Sequence, residues 1–521
     1  MTHTFPTQAN KKKTDPLTAR LWEYCNALRD SGLSTAEFVE QLTYLNFLKI
    51  ADEIADWPAK GVNESAAIVP AGYDWKSLVK KTGSDLGDHY RAVLAELAKK
   101  DPATTVGGIF SGSQHRVPSD ELLRKLIVDL IDPLEWNERT LDLMRDAFED
   151  LLARSAEDTK TGAGQYFTPR PLVKAILDVM QPGPTDTITD PACGTGGFLI
   201  AAHRYILEHH LQELSSEELQ ALSSGSIWGQ ELVPSTVRLA LMNMLLHGLG
   251  TTTGQSLVET GDALIRQPTR HASLVLAHPP FGIRSAIPAV DRNGMEKEDF
   301  HYPRNDFPIT TTNKQINFLQ HVMSLMEMNG RAAVIVPDNV LFESGNCSTL
   351  RRRLLDDFDL HTILRLPTGT FYASGIKANV LFFDKRPRVE GKSNTSKLWV
   401  YDLRTDMQFS LKRKPLQQVD LIDFIESYLP GRPHADRVET ERFRCFPYEE
   451  LVARNHLNMD ISWAGDPTFD DTHSAPPPEV IAREIVENLE SALNQFASIA
   501  EELGGEPWPQ ADKRTIAHPK P

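Results

Sequence analysis

Residues 186–210 read DTITDPACGTGGFLIAAHRYILEHH, a short β-forming run followed by a glycine-rich turn and an apolar helical run. The same order recurs downstream: SIWGQE precedes STVRLALMNMLLHG, SLVLAHPP precedes KQINFLQHVMSLMEM, and RAAVIVPD precedes STLRRRLLDDF. HTILRLP, ANVLFFDK and KLWVYDL follow as further predicted strands. This alternation predicts an α/β fold with an open, mostly parallel sheet and helices on both faces. Ligands of such sheets bind beyond the carboxyl ends of the strands.

The chain before this alternation has a helical pattern. LTARLWEYCNALRD (17–30) and STAEFVEQLTYLNFLKIADEIADW (34–57) repeat apolar residues at three- and four-residue spacing. Ser34 or Thr35 is a suitable N-cap for the second helix. A polar, glycine-containing segment at 104–114 is expected to separate these helices from later ones. We therefore expect a helical bundle that carries no catalytic or ligand-binding cluster.

Composition shifts along the chain divide it into six predicted parts. These are a flexible arm (1–16), an all-helical N-terminal domain (17–158), the α/β domain (159–464), a linker (465–478), an amphipathic C-terminal helix suited to packing against a partner (479–504) and a tail (505–521).

The charge balance is acidic, with 55 Lys and Arg residues against 71 Asp and Glu residues and a formal net charge of −16. A chain that gripped DNA phosphates unaided would usually be basic, so a nucleic-acid substrate would require a local basic groove or a basic partner. The four cysteines lie far apart without a CxxC pair, which argues against a zinc site and a disulfide framework. The N-terminal residues carry positive charge without an apolar stretch behind them, so we expect no secretory signal, and no apolar run approaches the roughly 18 residues that cross a bilayer. We expect a cytoplasmic protein with no metal and no membrane association.

The turn at residues 190–197, DPACGTGG, is the strongest local signal. Glycines at 194, 196 and 197 permit a sharp turn and a close approach of ligand to the main chain. The helix that begins near Gly197 offers free N–H groups to an anionic group. The Gly-Lys-Ser/Thr ending of a phosphate-binding loop and the GxGxxG of a dinucleotide loop are both absent. Taken alone, the turn is equally compatible with an ordinary tight connection between a strand and a helix.

Acidic residues at three successive strand ends favour a ligand-binding turn over an ordinary connection. Asp190 ends the first predicted strand, Glu231 closes SIWGQE and Asp262 closes SLVETGD. Glu231 is suited to accept hydrogen bonds from both hydroxyls of a ribose, and Asp262 from an exocyclic amine. Each acid alone would more often cap a helix or face solvent. Three of them around one glycine-rich turn predict a nucleoside pocket.

The next predicted strand ends in His278-Pro279-Pro280-Phe281. The prolines fix an extended backbone, and Phe281 offers a flat face on which a base can stack. The order GQYFTPR (164–170), DPACGTGG, GQE, GD and HPPF resembles the S-adenosylmethionine-dependent N6-adenine DNA methyltransferases. It resembles more closely the modification subunits of type I restriction-modification systems, over most of the chain, including TTNKQINFLQH and VPDNVLFESG. This likeness implies a Rossmann-like methyltransferase domain behind the all-helical domain, and the amphipathic pattern at 479–504 predicts a C-terminal helical tail.

The resemblance also assigns roles to individual residues. It implies that the wall of the S-adenosylmethionine pocket is formed by Gln165, Tyr166, Phe167, Thr168, Pro169 and Arg170. It implies that the donor loop comprises Asp190, Gly194, Thr195, Gly196 and Gly197. Glu231 corresponds to the ribose ligand, and Asp262 lies beside the adenine of the donor. His278, Pro279, Pro280 and Phe281 correspond to the catalytic site that receives the target adenine, flipped out of double-stranded DNA.

His278 departs from the family's pattern, which has Asn at this position. The Asn oxygen and the following Pro carbonyl accept hydrogen bonds from adenine N6, so that its lone pair can attack the methyl group. A neutral imidazole offers one acceptor and an imidazolium none, so activity is expected to fall below a pKa of about 6.5. We expect Nδ1 to lie near where an Asn side-chain atom would be.

Three functions therefore remain open. The first is an active adenine-specific methyltransferase, and the second is a catalytically impaired scaffold that still binds S-adenosylmethionine and DNA. The third is a protein glutamine N5-methyltransferase, which also uses an Asn-Pro-Pro-Tyr turn but is disfavoured by the helical first domain. Cys193 is interpreted as a small apolar filler, and Arg365 and Lys377 either contact phosphate or form a solvated pair.

The resemblance implies partners as well as chemistry. These are double-stranded DNA, a separate specificity subunit that chooses the target site, a second copy of the modification subunit and a restriction subunit. The acidic net charge agrees with a need for partners, and the chain has no helix-turn-helix or zinc signature of its own.

Overall fold

The architecture is described from a computed structural model of the chain. The described residues are 16–53, 69–134, 138–158, 168–251, 254–281, 289–290, 296–297, 302, 304–371, 377–404, 409 and 414–463. The predicted linker at 465–478, helix at 479–504 and tail at 505–521 lie outside them, as does the predicted arm apart from Pro16. Within the described ranges, no helix is both long enough and apolar enough to cross a membrane.

The first part of the chain is helical, as predicted. Its helices are α1 (Pro16–Asp30), α2 (Thr35–Glu53), α3 (Trp75–Val79), α4 (Ser84–Leu97), α5 (Thr105–Phe110), α6 (Asp120–Arg124, followed by a π-helical segment Lys125–Ile131) and α7 (Glu138–Asp158). Helices α1, α2 and α7 pack against one another. Ser34 caps α2, because its hydroxyl accepts from the Glu37 N–H at 3.2 Å while the Glu37 carboxylate accepts from the Ser34 N–H at 2.9 Å.

The segment at 104–114 that was expected to separate helices contains α5 instead. The Thr104 hydroxyl caps this helix by accepting from the Gly107 N–H at 3.1 Å. A Cβ at Gly107 would lie 1.8 Å from the carbonyl oxygen of Asp101. Gly107 is therefore required because the backbone of α5 closely approaches the backbone at Asp101.

A nine-stranded sheet forms the second part. The strands are β1 (Ile188–Asp190), β2 (Ile227–Glu231), β3 (Val258–Thr260), β4 (Ala272–Ala277), β7 (Met326–Pro337), β8 (Asp359–Leu366), β9 (Ala378–Asp384), β10 (Lys397–Asp402) and β11 (Phe443–Pro447), with β5 (Ala289–Val290) and β6 (Glu296–Lys297) as a separate antiparallel pair. The order is β11-β10-β8-β9-β7-β4-β1-β2-β3. Pairing is parallel except along β9, which lies between β7 and β8, and at β11 on the edge. The predicted mostly parallel sheet is confirmed.

Helices connect and flank these strands. They are α8 (Arg170–Met180), α9 (Gly197–His210), α10 (Ser216–Ser224), α11 (Pro234–Leu246), α12 (Lys314–Leu325), α13 (Asn339–Phe342), α14 (Asn346–Asp356), α15 (Ile422–Tyr428) and α16 (Tyr448–Ala453), with 3₁₀ turns at Gln418–Leu421, His434–Asp436 and Asn455–Leu457. Helix α9 packs on β1 and β2, α12 on β4 and β7, and α14 on β8. The strand order reverses between β1 and β4, so the crevice beyond their carboxyl ends is the expected ligand position.

Helix α11 links the helical part to the sheet. It packs against α2, α5 and α7 as well as β2 and β3. Its Arg238 is buried and donates from Nε to the Glu40 carboxylate at 2.7 Å and from Nη1 to the Ser111 carbonyl at 2.8 Å. Because a buried charge without a partner is strongly destabilising, this pair fixes the two parts to each other.

Candidate active site

The turn after β1 is tied to β2 and α11 by three consecutive residues. The Cys193 N–H donates to the carbonyl oxygen that precedes Glu231, at 3.0 Å, and the Gly194 N–H donates to Glu231 Oε2 at 3.1 Å. The Thr195 carbonyl accepts from the side-chain amide of Asn243 at 3.0 Å. Two predicted site elements, the glycine-rich turn and Glu231, are therefore in direct contact.

The glycines of the turn are required by its backbone. Gly194 has φ +54° and Gly196 has φ +85°, left-handed values that residues with a side chain rarely adopt. Helix α9 begins at Gly197, so the first N–H groups of this helix lack intrahelical partners. A Cβ at Gly197 would meet no atom within 4 Å, which leaves the main chain there accessible to a ligand.

Cys193 lies beneath the turn and packs on β2. A Cβ added at Gly229 would lie 2.8 Å from Cys193 Cβ and 2.8 Å from Leu199 Cδ1. Burial raises the pKa of the Cys193 thiol well above its ordinary value. The thiol is therefore not activated as a nucleophile, which supports its interpretation as a small filler.

Two acids approach each other at the ends of β1 and β2. Asp190 is 2% exposed, and its Oδ1 accepts from the Ala192 N–H at 2.9 Å. Burial raises the Asp190 pKa to about 8, and the nearby charge of Glu231 adds to the shift. Burial also raises the Glu231 pKa, although its carboxylate accepts from the N–H groups of Gly194 and Val233. Two poorly solvated acids of this kind form a favourable site for a positively charged group.

Asp262 follows β3 and is held on both carboxylate oxygens. Oδ1 accepts from the Leu264 N–H at 2.9 Å, and Oδ2 accepts from the Tyr302 hydroxyl at 2.9 Å. Leu264 and Tyr302 belong to a small apolar cluster against which Ala192, in the turn after β1, also packs. Asp262 is thus placed next to the glycine-rich turn through this cluster.

His278 follows β4 and is 4% exposed. Its ring centroid lies 4.9 Å from that of Phe281 and 5.0 Å from that of Phe371. Nδ1 lies 2.8 Å from the Thr168 hydroxyl oxygen, whereas Nε2 is buried without a hydrogen-bond partner among the described residues. Nδ1, the atom expected near the position of an Asn side-chain atom, is therefore engaged by Thr168, and Nε2 is the ring nitrogen left over.

The protonation behaviour of His278 also differs from the expectation. Burial lowers its pKa to about 3, far below the ordinary value near 6.5 that the sequence suggested. The reason is desolvation of the charged ring, and a carboxylate that would favour imidazolium is not among the causes of the shift.

Of the two prolines that follow His278, Pro279 is buried and Pro280 is half-buried.

The predicted donor wall is only partly described. Gln165, Tyr166 and Phe167 lie outside the described residues. Thr168 contacts His278, and Pro169 immediately precedes α8. The guanidinium of Arg170 pairs with Glu149 on α7 at 2.8 Å and lies 3.7 Å from Asp150. Arg170 is thus engaged with the helical part of the chain rather than with the glycine-rich turn.

The structure corrects both alternatives for Arg365, a contact with phosphate and a solvated pair with Lys377. Its side chain is buried, pairs with Asp402 at 3.4 Å and with Asp460, and donates to the carbonyl of Ile461. Lys377, its suggested companion, is exposed.

Three site residues were missed from the sequence: Asn243, Tyr302 and Phe371. In the sequence, Asn243 is a single amide within the apolar run of helix α11, and the structure buries it. Phe371 lies between the predicted strands HTILRLP and ANVLFFDK, and its ring meets that of Phe281 edge-on at 5.9 Å. All three reach the site from distant segments, which a linear motif does not reveal.

Comparison with known proteins decides the family. A family model described as N-6 DNA Methylase matches residues 139–462, and one described as HsdM N-terminal domain matches residues 17–130. The chain belongs to the methylase subunits of type I restriction enzymes.

Two relatives show how far the similarity extends. The StySJI methylase subunit of Salmonella typhimurium is 37% identical, over 94% of this chain and 95% of that protein. The EcoKI methylase subunit of Escherichia coli is 36% identical, with the same coverage of both chains.

Solved structures agree with this assignment. The crystal structure of the EcoKI M protein matches with 32% identity and a TM-score of 0.52, covering 96% of this chain and 99% of that one. A chain from a structure of a type I restriction-modification system matches with 25% identity and a TM-score of 0.70, covering 95% and 99%. This methylase subunit therefore has a helical N-terminal region followed by a methyltransferase fold, and the family's chemistry is N6 methylation of DNA.

Proposed function

We propose that this methylase subunit transfers a methyl group from S-adenosylmethionine to N6 of an adenine that is flipped out of double-stranded DNA. The observation that carries the proposal is that the candidate site residues lie together at the carboxyl ends of adjacent strands. The glycine-rich turn with Asp190 and Glu231 follows β1 and β2, and His278 with its unpaired Nε2 follows the adjacent strand β4.

The residues around the turn fit the methyl donor. Asp190 and Glu231 are poorly solvated acids that a cationic ligand would stabilise in the ionised form. A carboxylate offers about four lone-pair sites, so Glu231 retains one for a ribose hydroxyl beyond the backbone N–H groups of Gly194, Leu232 and Val233. S-adenosylmethionine, when bound, supplies an electrophilic methyl group on a sulfonium.

The residues after β4 fit the target base. Phe281 is half-buried and provides a stacking face, and stacking on an aromatic side chain contributes about 1–3 kcal/mol per base. His278 is neutral and presents Nε2 as the nitrogen free to accept a hydrogen from the adenine amine. The carbonyl of Pro279 is the second acceptor that the family's chemistry requires.

We propose that this subunit works within a complex. A specificity subunit selects the target site, a second copy of this chain completes the modification enzyme, and a restriction subunit joins for cleavage. The net charge of −16 supports the need for a DNA-binding partner. Alone, the chain is expected to bind DNA weakly and without sequence preference in a band-shift titration.

The test is methyl transfer by the full chain assembled with its specificity partner, using S-adenosylmethionine with a labelled methyl group. Label is expected in N6-methyladenine of DNA that carries the target site. A glutamine-containing protein substrate is the matched alternative, and labelling of that substrate instead of DNA would overturn the proposal.

A scaffold without turnover is the second candidate function. It is favoured by one observation, namely that the ring of His278 is enclosed by Phe281 and Phe371 with one nitrogen already engaged. Donor binding by calorimetry, no methyl transfer by the wild type and transfer by His278→Asn would assign the chain to this function.

A further inference from the structure

Thr168 is the only polar contact of the His278 ring among the described residues. Its hydroxyl oxygen lies 2.8 Å from Nδ1, and Nε2 has no partner there. Phe281 and Phe371 pack on the ring with centroid distances of 4.9 and 5.0 Å. The ring is thus held so that its two nitrogens face different surroundings.

A neutral imidazole carries one proton on one of its two nitrogens, and the hydrogen bond at one nitrogen determines the state of the other. The His278 ring is neutral because burial lowers its pKa to about 3. The Thr168 hydroxyl is able either to donate to Nδ1 or to accept from it. The first arrangement leaves a proton on Nε2, and the second leaves a lone pair there.

The two arrangements differ in what they leave buried. With the proton on Nε2, an N–H group would lie buried without an acceptor, and unpaired buried N–H groups are rarer than unpaired acceptors. With the proton on Nδ1, the buried Nε2 is an acceptor whose partner arrives with the substrate. The adenine amine donates hydrogens, so only the second arrangement matches it.

We propose that Thr168 is a positioning residue that selects the tautomer of His278, by accepting the Nδ1 proton so that Nε2 presents its lone pair to the target amine. This role rests on the proposed function and adds to it. Thr168 acts through His278 and is distinct from the donor-pocket wall that the resemblance alone assigned to it.

The tautomer is measured directly by long-range ¹H–¹⁵N NMR on the full chain labelled at histidine. His278→Asn identifies the His278 signals among those of the 16 histidines. The wild type and Thr168→Ser, which keeps the hydroxyl, are expected to show Nδ1 protonated. Thr168→Val, which keeps the shape but not the hydroxyl, is expected to move the proton to Nε2.

Kinetics on the complex with the specificity partner provide the second readout. Thr168→Val is expected to lower kcat roughly 10- to 100-fold with unchanged donor affinity and unchanged KM for DNA, whereas Thr168→Ser restores kcat. A wild-type ring protonated at Nε2 would overturn the proposal, even if the Val variant did not fold. Thr168→Val that only weakens donor binding would assign Thr168 to the donor wall instead.

The two proposals fail separately. If the wild type does not methylate DNA but its tautomer changes as expected in Thr168→Val, the proposed function is wrong and the Thr168 assignment stands. If the wild type methylates DNA and Thr168→Val leaves both tautomer and kcat unchanged, the Thr168 assignment is wrong and the function stands.

Discussion

The side-chain amide of Asn243 donates a hydrogen bond to the carbonyl oxygen of Thr195 at 3.0 Å. Helix α11 therefore holds the glycine-rich turn through a main-chain carbonyl of that turn. Asn243 is 3% exposed, so its amide has little access to water when the contact is lost.

Replacing Asn243 by Leu is expected to weaken donor binding by about 1–3 kcal/mol, since the carbonyl of half-buried Thr195 loses its side-chain partner. Isothermal calorimetry with S-adenosylmethionine measures the change. Met242→Leu, at an equally buried position on the same helix, is the matched control. Equal donor affinity in both variants would show that α11 does not support the turn.

Replacing Glu231 by Ala is expected to reduce donor affinity by about 1–3 kcal/mol, because the variant loses both an acceptor for the donor and the partner of the Gly194 N–H. Glu259→Ala, on the neighbouring strand β3 with an exposed side chain, is the control. Donor affinity is measured by calorimetry at pH 7.5. An affinity unchanged from wild type would remove Glu231 from the pocket.

Donor binding is expected to release a proton near neutral pH. Because the Asp190 pKa is raised to about 8, this carboxyl is mostly protonated in the donor-free protein at pH 7. A bound cation favours the ionised form, so affinity should rise with pH up to about 8 and then level off. Calorimetry at pH 7 in phosphate and in Tris, whose ionisation enthalpies differ, counts the released protons. Asp190→Asn is expected to release fewer, and equal proton release by both proteins would contradict this assignment.

The methylation rate is expected to show no acid limb from His278 between pH 8 and pH 5. A folded-state pKa of about 3 keeps the ring neutral throughout this range, so that its acceptor is retained. His278→Ala should raise the activation free energy by about 1–3 kcal/mol and so slow methylation. His278→Asn should raise the methylation rate at every pH. The measurement is a pH–rate series for the three proteins with saturating donor. An acid limb near pH 6.5 that His278→Asn removes would show that the ring is solvated in the complex.

The sequence predicted those parts of the site that follow directly from strand ends. Asp190, Glu231 and His278 each come at or just after a strand, so their shared edge could be inferred from the alternation of strands and helices. The reversed direction of β9 could not, because a parallel and an antiparallel strand buried on both faces have the same apolar pattern. The end of α12 at Leu325 was likewise missed, since no proline or glycine marks it in the sequence before Gly330.

Side-chain partners were the least predictable. Phe371 and Tyr302 reach the site from separate loops, and their contacts depend on tertiary packing rather than on spacing along the chain. The low pKa of His278 has the same origin, because it reflects how completely the ring is enclosed. The burial of Arg365 depends on Asp460, nearly a hundred residues away.

Because helix α11 contacts both the helical domain and the donor turn, it couples the two thermodynamically. Arg238 ties one part of this helix to Glu40 in the helical domain, and Asn243, five residues later, supports the donor turn. Binding energies that act on one rigid element are reciprocal. A partner that weakens the contact between Glu40 and Arg238 should lower the affinity for the donor. A bound donor should in turn make the helical domain harder to detach.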